Sequence, residues 1–475
     1  MRGIEKLEQK NIVFDSDSIY IKRLKSENDN YEKEHGRRRR GYVLTFGCQQ
    51  NEADGEKIAG ILRSLGYDMT YTPDDANIIV VNTCAIRAHA EEKALSTIGQ
   101  FKHLKAKDPE LIIVVCGCMT AQESRRNDIK FKYPYVDIAI GTASLHKLPQ
   151  LICERRDEKK RKIVSDDDYE IAENVPIVRE SSYRAWVSIM YGCNNFCSYC
   201  IVPYVRGRER SRRREEIINE VAELAKDGYK DITLLGQNVN SYGRNLYDDY
   251  DFADLLSELA NIEGDFLLRF MTSHPKDASD KLIAVMQSNR KIARHFHLPL
   301  QSGSDRILSA MNRKYDTARY LSIIQKLRSA MPDIAITSDI IVGFPGETEE
   351  DFENTIDVIK EANFDMIYSF IFSPRSGTPA SNMDNAVPDD IKGARMTRLL
   401  EVQNEISYRI NQKYLGQVLR VLIDGKSKNN ETVWSGRTEA NKIVLFDGVG
   451  FCEKDVGTFK NMKTERADTF ALYAK

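Results

Sequence analysis

The chain contains the stretch Tyr191-Gly192-Cys193-Asn194-Asn195-Phe196-Cys197-Ser198-Tyr199-Cys200, which directly follows an apolar run at 185–190. The cysteines of this stretch have the spacing C-x3-C-x2-C. Three soft thiolates can bind three irons of a 4Fe-4S cluster and leave the fourth iron open to a substrate or cofactor. The stretch therefore predicts a reactive iron–sulfur site directly after an apolar strand.

Two other interpretations of this cysteine loop stay open. A structural zinc site usually has a fourth Cys or His nearby, and none stands within the loop or just after it. Three inert buried cysteines are the second alternative, which the bracketing Gly192 and Pro203 disfavour. The iron–sulfur interpretation is favoured over both.

Length and composition predict a soluble protein of several domains. The 475 residues suffice for two to four domains, and 41% are hydrophobic. No stretch of about 18 apolar residues and no signal-peptide core is present, so we expect a cytoplasmic protein without a membrane segment. The nine cysteines are odd in number and follow apolar runs, which is more typical of ligands than of disulfides.

The net charge of −2 excludes a uniformly basic nucleic-acid-binding surface, but two arginine clusters could bind phosphate locally. One cluster is the run 37–40. The other follows the cysteine loop and consists of Arg206, Arg208, Arg210, Arg212, Arg213 and Arg214. A solvated charged face is the alternative for each. Proximity to the cysteine loop favours the second cluster as a phosphate contact.

The N-terminal part predicts a doubly wound parallel α/β domain over 41–152, preceded by a flexible charged extension over 1–40. Apolar runs alternate with helical patterns. The expected strands are 42–46, 78–81, 111–115 and 136–140, and the expected helices are 52–65, 87–106 and 121–130.

Three cysteines of this domain, Cys48, Cys84 and Cys118, each follow one of its first three strands. Parallel strands bring their carboxyl ends to one edge of the sheet, where open α/β sheets bind ligands. The three thiols could therefore converge on a second cluster. Core packing is the alternative for any single cysteine.

A charged linker is expected over 153–180, followed by a partial (β/α)6 barrel over 181–410. Its six strands are predicted at 185–190, 231–236, 266–271, 293–298, 334–342 and 365–371. Polar or glycine residues follow these strands and would form the reactive face. Those singled out are Gln237, Asn238, Ser302, Gly343, Gly346 and Glu347.

The segment 412–475 predicts a small all-β barrel, which could bind oligonucleotides or serve only for packing. Its candidate RNA contacts are Tyr414, Arg420, Trp434 and Arg437.

Four motifs, residues 45–51 (TFGCQQN), 82–87 (NTCAIR), Gly117-Cys118 and the C-x3-C-x2-C loop, resemble those of the radical SAM methylthiotransferases. The resemblance covers about 41–475, with Gln50 where the family usually has Met. It implies an N-terminal methylthiotransferase domain, a radical SAM barrel and a C-terminal TRAM domain. The segments 82–87, 204–212 and 234–242 are most similar to the branch that acts on N6-dimethylallyladenosine at position 37 of tRNA, beside the anticodon.

The resemblance implies two 4Fe-4S clusters. Cys193, Cys197 and Cys200 would bind the one that cleaves S-adenosylmethionine, and Cys48, Cys84 and Cys118 the auxiliary one. One S-adenosylmethionine would be the radical source and another the methyl donor, with sulfur from the auxiliary cluster. The residues singled out after the barrel strands would bind S-adenosylmethionine. Arg206, Arg208, Arg210, Arg212, Trp434 and Arg437 would bind RNA.

The implied partners are the tRNA anticodon stem-loop, a reducing electron donor such as flavodoxin or ferredoxin, and a sulfur or iron–sulfur carrier. Two other substrates stay open, a ribosomal protein aspartate and threonylcarbamoyladenosine in tRNA. A non-catalytic iron–sulfur protein that binds RNA or transfers electrons is the alternative of another class. An open iron in each cluster argues against it.

Overall fold

The computed structural model describes residues 11–86, 88–165, 169–427 and 430–475. The chain packs into two compact units. The first comprises the described part of 1–180 with 190–194 and 201–212, and the second comprises 181–189, 195–200 and 213–475. Within the described ranges, no helix is both long enough and apolar enough to span a membrane.

The first unit is built on a six-stranded parallel sheet of order β3-β2-β4-β5-β6-β7. Its central strands β4 and β5 are buried along their whole length, between apolar cores on the two faces of the sheet. The strands of the unit are β1 Asn11–Val13, β2 Arg40–Thr45, β3 Asp68–Met69, β4 Ile78–Thr83, β5 Ile112–Gly117, β6 Ile138–Ile140, β7 Lys162–Ile163 and β8 Ile171–Glu173. Its helices are α1 Ile19–His35, α2 Gln49–Ser64, α3 Ala88–Gln100, α4 Lys102–Lys107, α5 Glu123–Lys132 and α6 Leu148–Glu158. The predicted doubly wound α/β architecture is confirmed.

The expectation of a flexible extension before residue 41 is wrong for 11–40. Helix α1 begins at a Ser18 cap and buries Ile21 and Leu24 in the core of the first unit. It packs against α6, where Arg23 forms an ion pair with Asp157. Residues 1–10 lie outside the described residues.

The expected linker is also part of the first unit. Helix α6 extends into it, β7 adds a sixth parallel strand beside β6, and β8 pairs in parallel with β1. Backbone hydrogen bonding therefore holds the segment, although its composition is that of a spacer. Residues 166–168 of the predicted linker lie outside the described residues.

The expectation that the cysteine loop lies wholly in the barrel is wrong. The boundary between the two units passes through this loop. Strand β9 Arg184–Ser188 belongs to the second unit. The short elements β10 Met190–Tyr191, α7 Val202–Val205 and β11 Arg210–Ser211 belong to the first, and β10 pairs antiparallel with β11.

The second unit contains six parallel barrel strands, in sheets of order β13-β12-β9 and β14-β15-β16. Its further strands are β12 Asp231–Leu235, β13 Leu267–Phe270, β14 His295–His297, β15 Ala335–Val342 and β16 Met366–Ile371. Its helices are α8 Arg214–Lys226, α9 Phe252–Ala260, α10 Asp280–Ser288, α11 Asp305–Ala310, α12 Thr317–Ala330, α13 Glu349–Ala362 and α14 Asp389–Gln412. All six predicted strands are therefore present, and the partial barrel is confirmed.

The C-terminal segment is a closed five-stranded barrel of order β17-β18-β19-β21-β20. Its strands are β17 Val418–Ser427, β18 Asn430–Thr438, β19 Ile443–Asp447, β20 Phe459–Ala467 and β21 Leu472–Ala474. Val421, Trp434, Phe446 and Leu472 are among its core residues. The small all-β barrel that the sequence predicts is confirmed.

Candidate active site

The first cysteine triad lies at the carboxyl edge of the sheet in the first unit. Cys48 follows β2 and precedes α2, Cys84 follows β4, and Cys118 follows β5. The chain order reverses between β2 and β4, because β3 lies on the far side of β2. Ligands of open α/β sheets bind at such a reversal point. The topology thus brings the three cysteines to the ligand-binding edge.

Two glycines let the loops that carry these thiols approach one another. A Cβ atom on Gly47 would lie 2.7 Å from Cys84 Cβ, and one on Gly117 would lie 2.3 Å from the Thr83 carbonyl oxygen. Real Cβ atoms essentially never come so close. Both residues also have positive φ, which glycine adopts without strain. The glycines beside Cys48 and Cys118 are therefore required by the close approach of the loops.

Asn51 ties the three loops together. Its Nδ2 donates to the Phe46 oxygen at 2.7 Å and to the Thr83 oxygen at 2.8 Å, while its Oδ1 accepts a weak bond from Cys118 Sγ at 3.8 Å. The side chain is fully buried. Asn51 lies in the first motif of the sequence, but only the tertiary fold shows that it holds the carboxyl edge of the sheet in place.

A buried arginine also contacts this triad. Arg206 donates from Nε to Cys118 Sγ at 3.2 Å, and from Nη2 to Asn51 Oδ1 at 2.7 Å and Asp54 Oδ2 at 2.8 Å. The residue is only 2% exposed. Arg206 therefore belongs to the surroundings of the thiols, not to a solvated phosphate-binding face.

The triad fits an iron–sulfur cluster in its donor chemistry. Cys84 and Cys118 are buried, and none of the three cysteines is in a disulfide. Burial raises the pKa of Cys118 to about 12, which Arg206 partly opposes. Among the described residues, no three His, Cys, Asp or Glu side chains form a ready-made metal-ligand group. The fit rests on three soft sulfur donors at one edge of the sheet, two of them buried.

The second triad belongs to the C-x3-C-x2-C loop. In the first unit, the Cys193 N–H donates to the Gly207 oxygen at 3.1 Å. In the second unit, the N–H of Ser198, between Cys197 and Cys200, donates to the Met311 oxygen at 3.0 Å. Backbone hydrogen bonds of Cys193 and Ser198 thus hold each part of this loop within its own unit.

A second buried arginine contacts this loop. Arg313 donates from Nη1 to Cys197 Sγ at 3.4 Å and from Nη2 to the Pro299 oxygen at 3.0 Å. Its Nε donates to the Tyr315 hydroxyl at 3.0 Å. The Cys197 sulfur therefore lies beside a fixed positive charge.

Unsatisfied polar atoms lie after three consecutive barrel strands. Asn238 Oδ1, Ser273 Oγ and Gln301 Oε1 are buried and find no hydrogen-bond partner among the described residues. Buried polar groups are nearly always hydrogen-bonded in folded proteins. Such atoms at the carboxyl end of a parallel barrel fit a polar cofactor such as S-adenosylmethionine. Ser273 and Gln301 lie on the face that the sequence predicts to be reactive, but were not among the candidate cofactor-binding residues.

The other predicted cofactor-binding residues have different surroundings. Gln237 is partly buried, and Ser302 is buried and accepts from the Ser304 N–H at 3.2 Å. Glu347 accepts from the Gly343 N–H at 3.0 Å and pairs with Arg395 at 2.7 Å. Burial raises the pKa of Glu347, and Arg395 opposes that rise. Glu347 therefore holds the turn that contains Gly343 and Gly346.

Three segments of the chain match models of known protein families. Residues 40–141 match the family described as "Uncharacterized protein family UPF0004", 187–359 the radical SAM superfamily, and 412–475 the TRAM domain. A tRNA-2-methylthio-N(6)-dimethylallyladenosine synthase of Caldicellulosiruptor saccharolyticus is 48% identical over 98% of both chains. One of Clostridium perfringens is 49% identical over 90% of this chain and 96% of its own.

The chain belongs to the tRNA-2-methylthio-N(6)-dimethylallyladenosine synthase family. It is thus an enzyme of the transferase class, with the iron–sulfur and S-adenosylmethionine chemistry of the radical SAM superfamily. Among solved structures, the radical S-adenosylmethionine methyltransferase TsrM of Kitasatospora setae matches with a TM-score of 0.54. That match has 14% identity and covers 72% of this chain and 75% of TsrM, and it shows a shared fold.

The RNA contacts expected of this synthase family member need correction at three positions. Arg206 and Arg212 are buried, and Arg212 pairs with Glu173 at 2.7 Å. Trp434 is 4% exposed and packs in the core of the C-terminal barrel against Phe451. Neither phosphate nor a base can reach these three side chains in this conformation.

The remaining candidates keep some exposure. Arg208 is exposed, whereas Arg210 is partly buried and its guanidinium lies 5.0 Å from the Tyr169 ring centroid. Arg437 is partly buried and lies 3.4 Å from Asp424. Arg420 pairs with Asp265 at 2.5 Å, and Tyr414 packs against the core of the C-terminal barrel. Among the six predicted RNA contacts, Arg208 is therefore the exposed cation.

Proposed function

We propose that this chain converts N6-dimethylallyladenosine at position 37 of tRNA to its 2-methylthio derivative. The triad of Cys48, Cys84 and Cys118 carries the proposal, because a radical SAM enzyme that only cleaves S-adenosylmethionine has no need of it. Sulfur insertion requires a sulfur source, and a cluster with an open iron at this triad would be one.

The proposal assigns a 4Fe-4S cluster to each triad. Bound there, the clusters would supply one-electron reduction of S-adenosylmethionine at one triad and sulfur for the substrate at the other. Adenine C2 carries a hydrogen that a protein base cannot remove at useful cost. Radical chemistry at the six cysteines is therefore favoured over acid–base chemistry.

The protein side chains would bind, orient and exclude water. Asn51 and the flanking glycines hold the loops that carry the first triad close together. The unpaired oxygens of Asn238, Ser273 and Gln301 would orient the polar groups of S-adenosylmethionine. Glu347 and Arg395 would hold the adjoining turn in shape. Organised polar groups of this kind are what a protein adds to cofactor chemistry.

Recognition of tRNA would rest on exposed cations and on the C-terminal barrel. Arg208 would contact phosphate, and partly exposed Arg437 would add a contact from the barrel. Phosphate contacts position an RNA, while base-specific contacts select it. A reducing partner of the flavodoxin or ferredoxin type and a carrier that restores sulfur would complete each cycle.

The division of labour between the triads predicts opposite effects of two substitutions. Cys197→Ala should abolish formation of 5′-deoxyadenosine, whereas Cys84→Ala should retain it and lose the methylthio product. Cys116→Ala is the matched control, because Cys116 is a buried cysteine that packs in the apolar core of the first unit. Reconstituted proteins incubated with S-adenosylmethionine and a reductant provide both readouts. Loss of 5′-deoxyadenosine in both variants would reject the assignment.

A substrate comparison separates the remaining alternatives. Prenylated tRNA should gain the methylthio group, and the same tRNA without the prenyl group should not. Threonylcarbamoyl-modified tRNA and the ribosomal protein substrate complete the comparison. Methylthiolation of either instead of prenylated tRNA would reassign the substrate, and absence of any 5′-deoxyadenosine would support the non-catalytic alternative.

A further inference from the structure

Arg206 is placed to act on the first triad and not on RNA. Its guanidinium donates three hydrogen bonds, one to Cys118 Sγ at 3.2 Å and the others to Asn51 and Asp54. Cys118 is fully buried and packs with Ala85, Ile201 and Val205. Ile201 is the cap before helix α7, Val205 is the last residue of the helix, and Arg206 follows it, so the same short segment supplies both the apolar cover and the charge.

The charge of this arginine has one carboxylate partner, Asp54, at 2.8 Å. Asp54 is buried, and its Oδ2 accepts a hydrogen bond from Arg206 within this ion pair. Asn51 and Asp54 are three residues apart on α2, so both face the guanidinium from one side of the helix. Cys118, Arg206 and Asp54 therefore form a buried series of sulfur, cation and anion.

Such a series acts on the electron affinity of a cluster held by the sulfur. Adding an electron to a cluster bound by three thiolates makes a negative group more negative. Hydrogen bonds to the sulfurs and nearby charge set the reduction potentials of iron–sulfur clusters. A cation stabilises the reduced form and an anion destabilises it, and the effect is large where little water screens the charges.

We propose that Arg206 is a positioning residue that raises the reduction potential of the auxiliary cluster, and that Asp54 limits this rise. The proposal rests on the proposed function, since it assigns that cluster to Cys48, Cys84 and Cys118. It accounts for a buried arginine in the cationic segment that follows the cysteine loop. It also gives the two members of one ion pair opposite effects on a measurable property.

The test is a spectroscopic redox titration of the reconstituted holoenzyme, with iron and sulfide analysis of each sample. Arg206→Gln should lower the potential of the auxiliary cluster, and Asp54→Asn should raise it. Each change should shift the ratio of reduced to oxidised cluster at a fixed potential about tenfold, which is ~59 mV for a one-electron couple. Exposed Arg208→Gln is the control from the same segment and should leave the potential unchanged.

Opposite shifts distinguish charge from folding, because damage to the fold would alter both variants in the same direction. If Arg206→Gln fails to bind the cluster, Arg206→Lys keeps the charge, and its potential should stay close to that of wild type and below that of Asp54→Asn. Shifts of equal sign, or no shift in either variant, would overturn the inference while two clusters in the wild type still support the proposed function. A wild type with iron for one cluster only would overturn both.

Discussion

His274 is a buried imidazole at the carboxyl end of the third barrel strand. Burial lowers the pKa of His274 to about 2, and Arg313 and Lys276 reinforce the effect. Its Nδ1 accepts from the Lys276 N–H at 3.2 Å, which requires the neutral ring. Unfolded histidine has a pKa of about 6.5. The neutral side chain thus contributes stability that is fully present above about pH 6.5 and is lost as the pH falls below it.

His274→Gln should therefore weaken the acid sensitivity of the second unit. Wild type should lose about 1.4 kcal/mol of unfolding free energy per pH unit below pH ~6.5 through this residue. Unfolding followed at several pH values between about 5 and 7.5 checks the slope. The exposed His103→Gln is the control and should keep the slope of wild type. An equal slope in wild type and His274→Gln would contradict a neutral buried ring.

The arginine-rich segment contains side chains whose burial the sequence does not predict. Alternating arginines over 206–214 indicate a solvated face, and at Arg208 the structure agrees. Arg206 instead pairs with Asp54, 152 residues earlier, and Arg212 with Glu173, 39 residues earlier. Because these partners come from distant parts of the chain, no local pattern could identify the buried arginines. The cysteines were predictable because their positions after strands follow from local periodicity.

Elements with continuous apolar runs were predictable, and elements with few buried residues were not. Strands β4 and β5 are buried at every position, so their sequences stand out from their surroundings. Helix α1 has 17 residues, of which Ile21, Leu24 and Asn28 are buried. Its many charged side chains hide the buried stripe, and the contact with α6 that orders it is not local.

Leu24→Ala should release this helix from the first unit. Leu24 is fully buried in the apolar core, and truncating such a leucine costs about 2–5 kcal/mol. Hydrogen exchange of the α1 amides should accelerate at least about tenfold in the variant. Lys25→Ala, at the next and exposed position, should leave exchange close to that of wild type. Unprotected α1 amides in the wild type would instead support the flexible extension that the sequence predicts.

For the whole molecule, the two triads should bind their clusters independently, because different arginines contact their sulfurs. Asn51 and Arg206 hold the first triad within the first unit, and Arg313 contacts Cys197 within the second. Anaerobic iron and sulfide analysis should give about eight irons per chain for the wild type. The triple alanine variant of Cys193, Cys197 and Cys200 should retain about four, as should that of Cys48, Cys84 and Cys118.

Cys452→Ala provides the control for these iron measurements, since that cysteine is exposed and lies in the C-terminal segment. It should keep the iron content of the wild type. If either triple variant lost all iron, the clusters would depend on each other for assembly, and the expected independence would be wrong. Zinc in place of iron at the C-x3-C-x2-C loop would return that site to a structural role, because zinc has no redox chemistry with which to cleave S-adenosylmethionine.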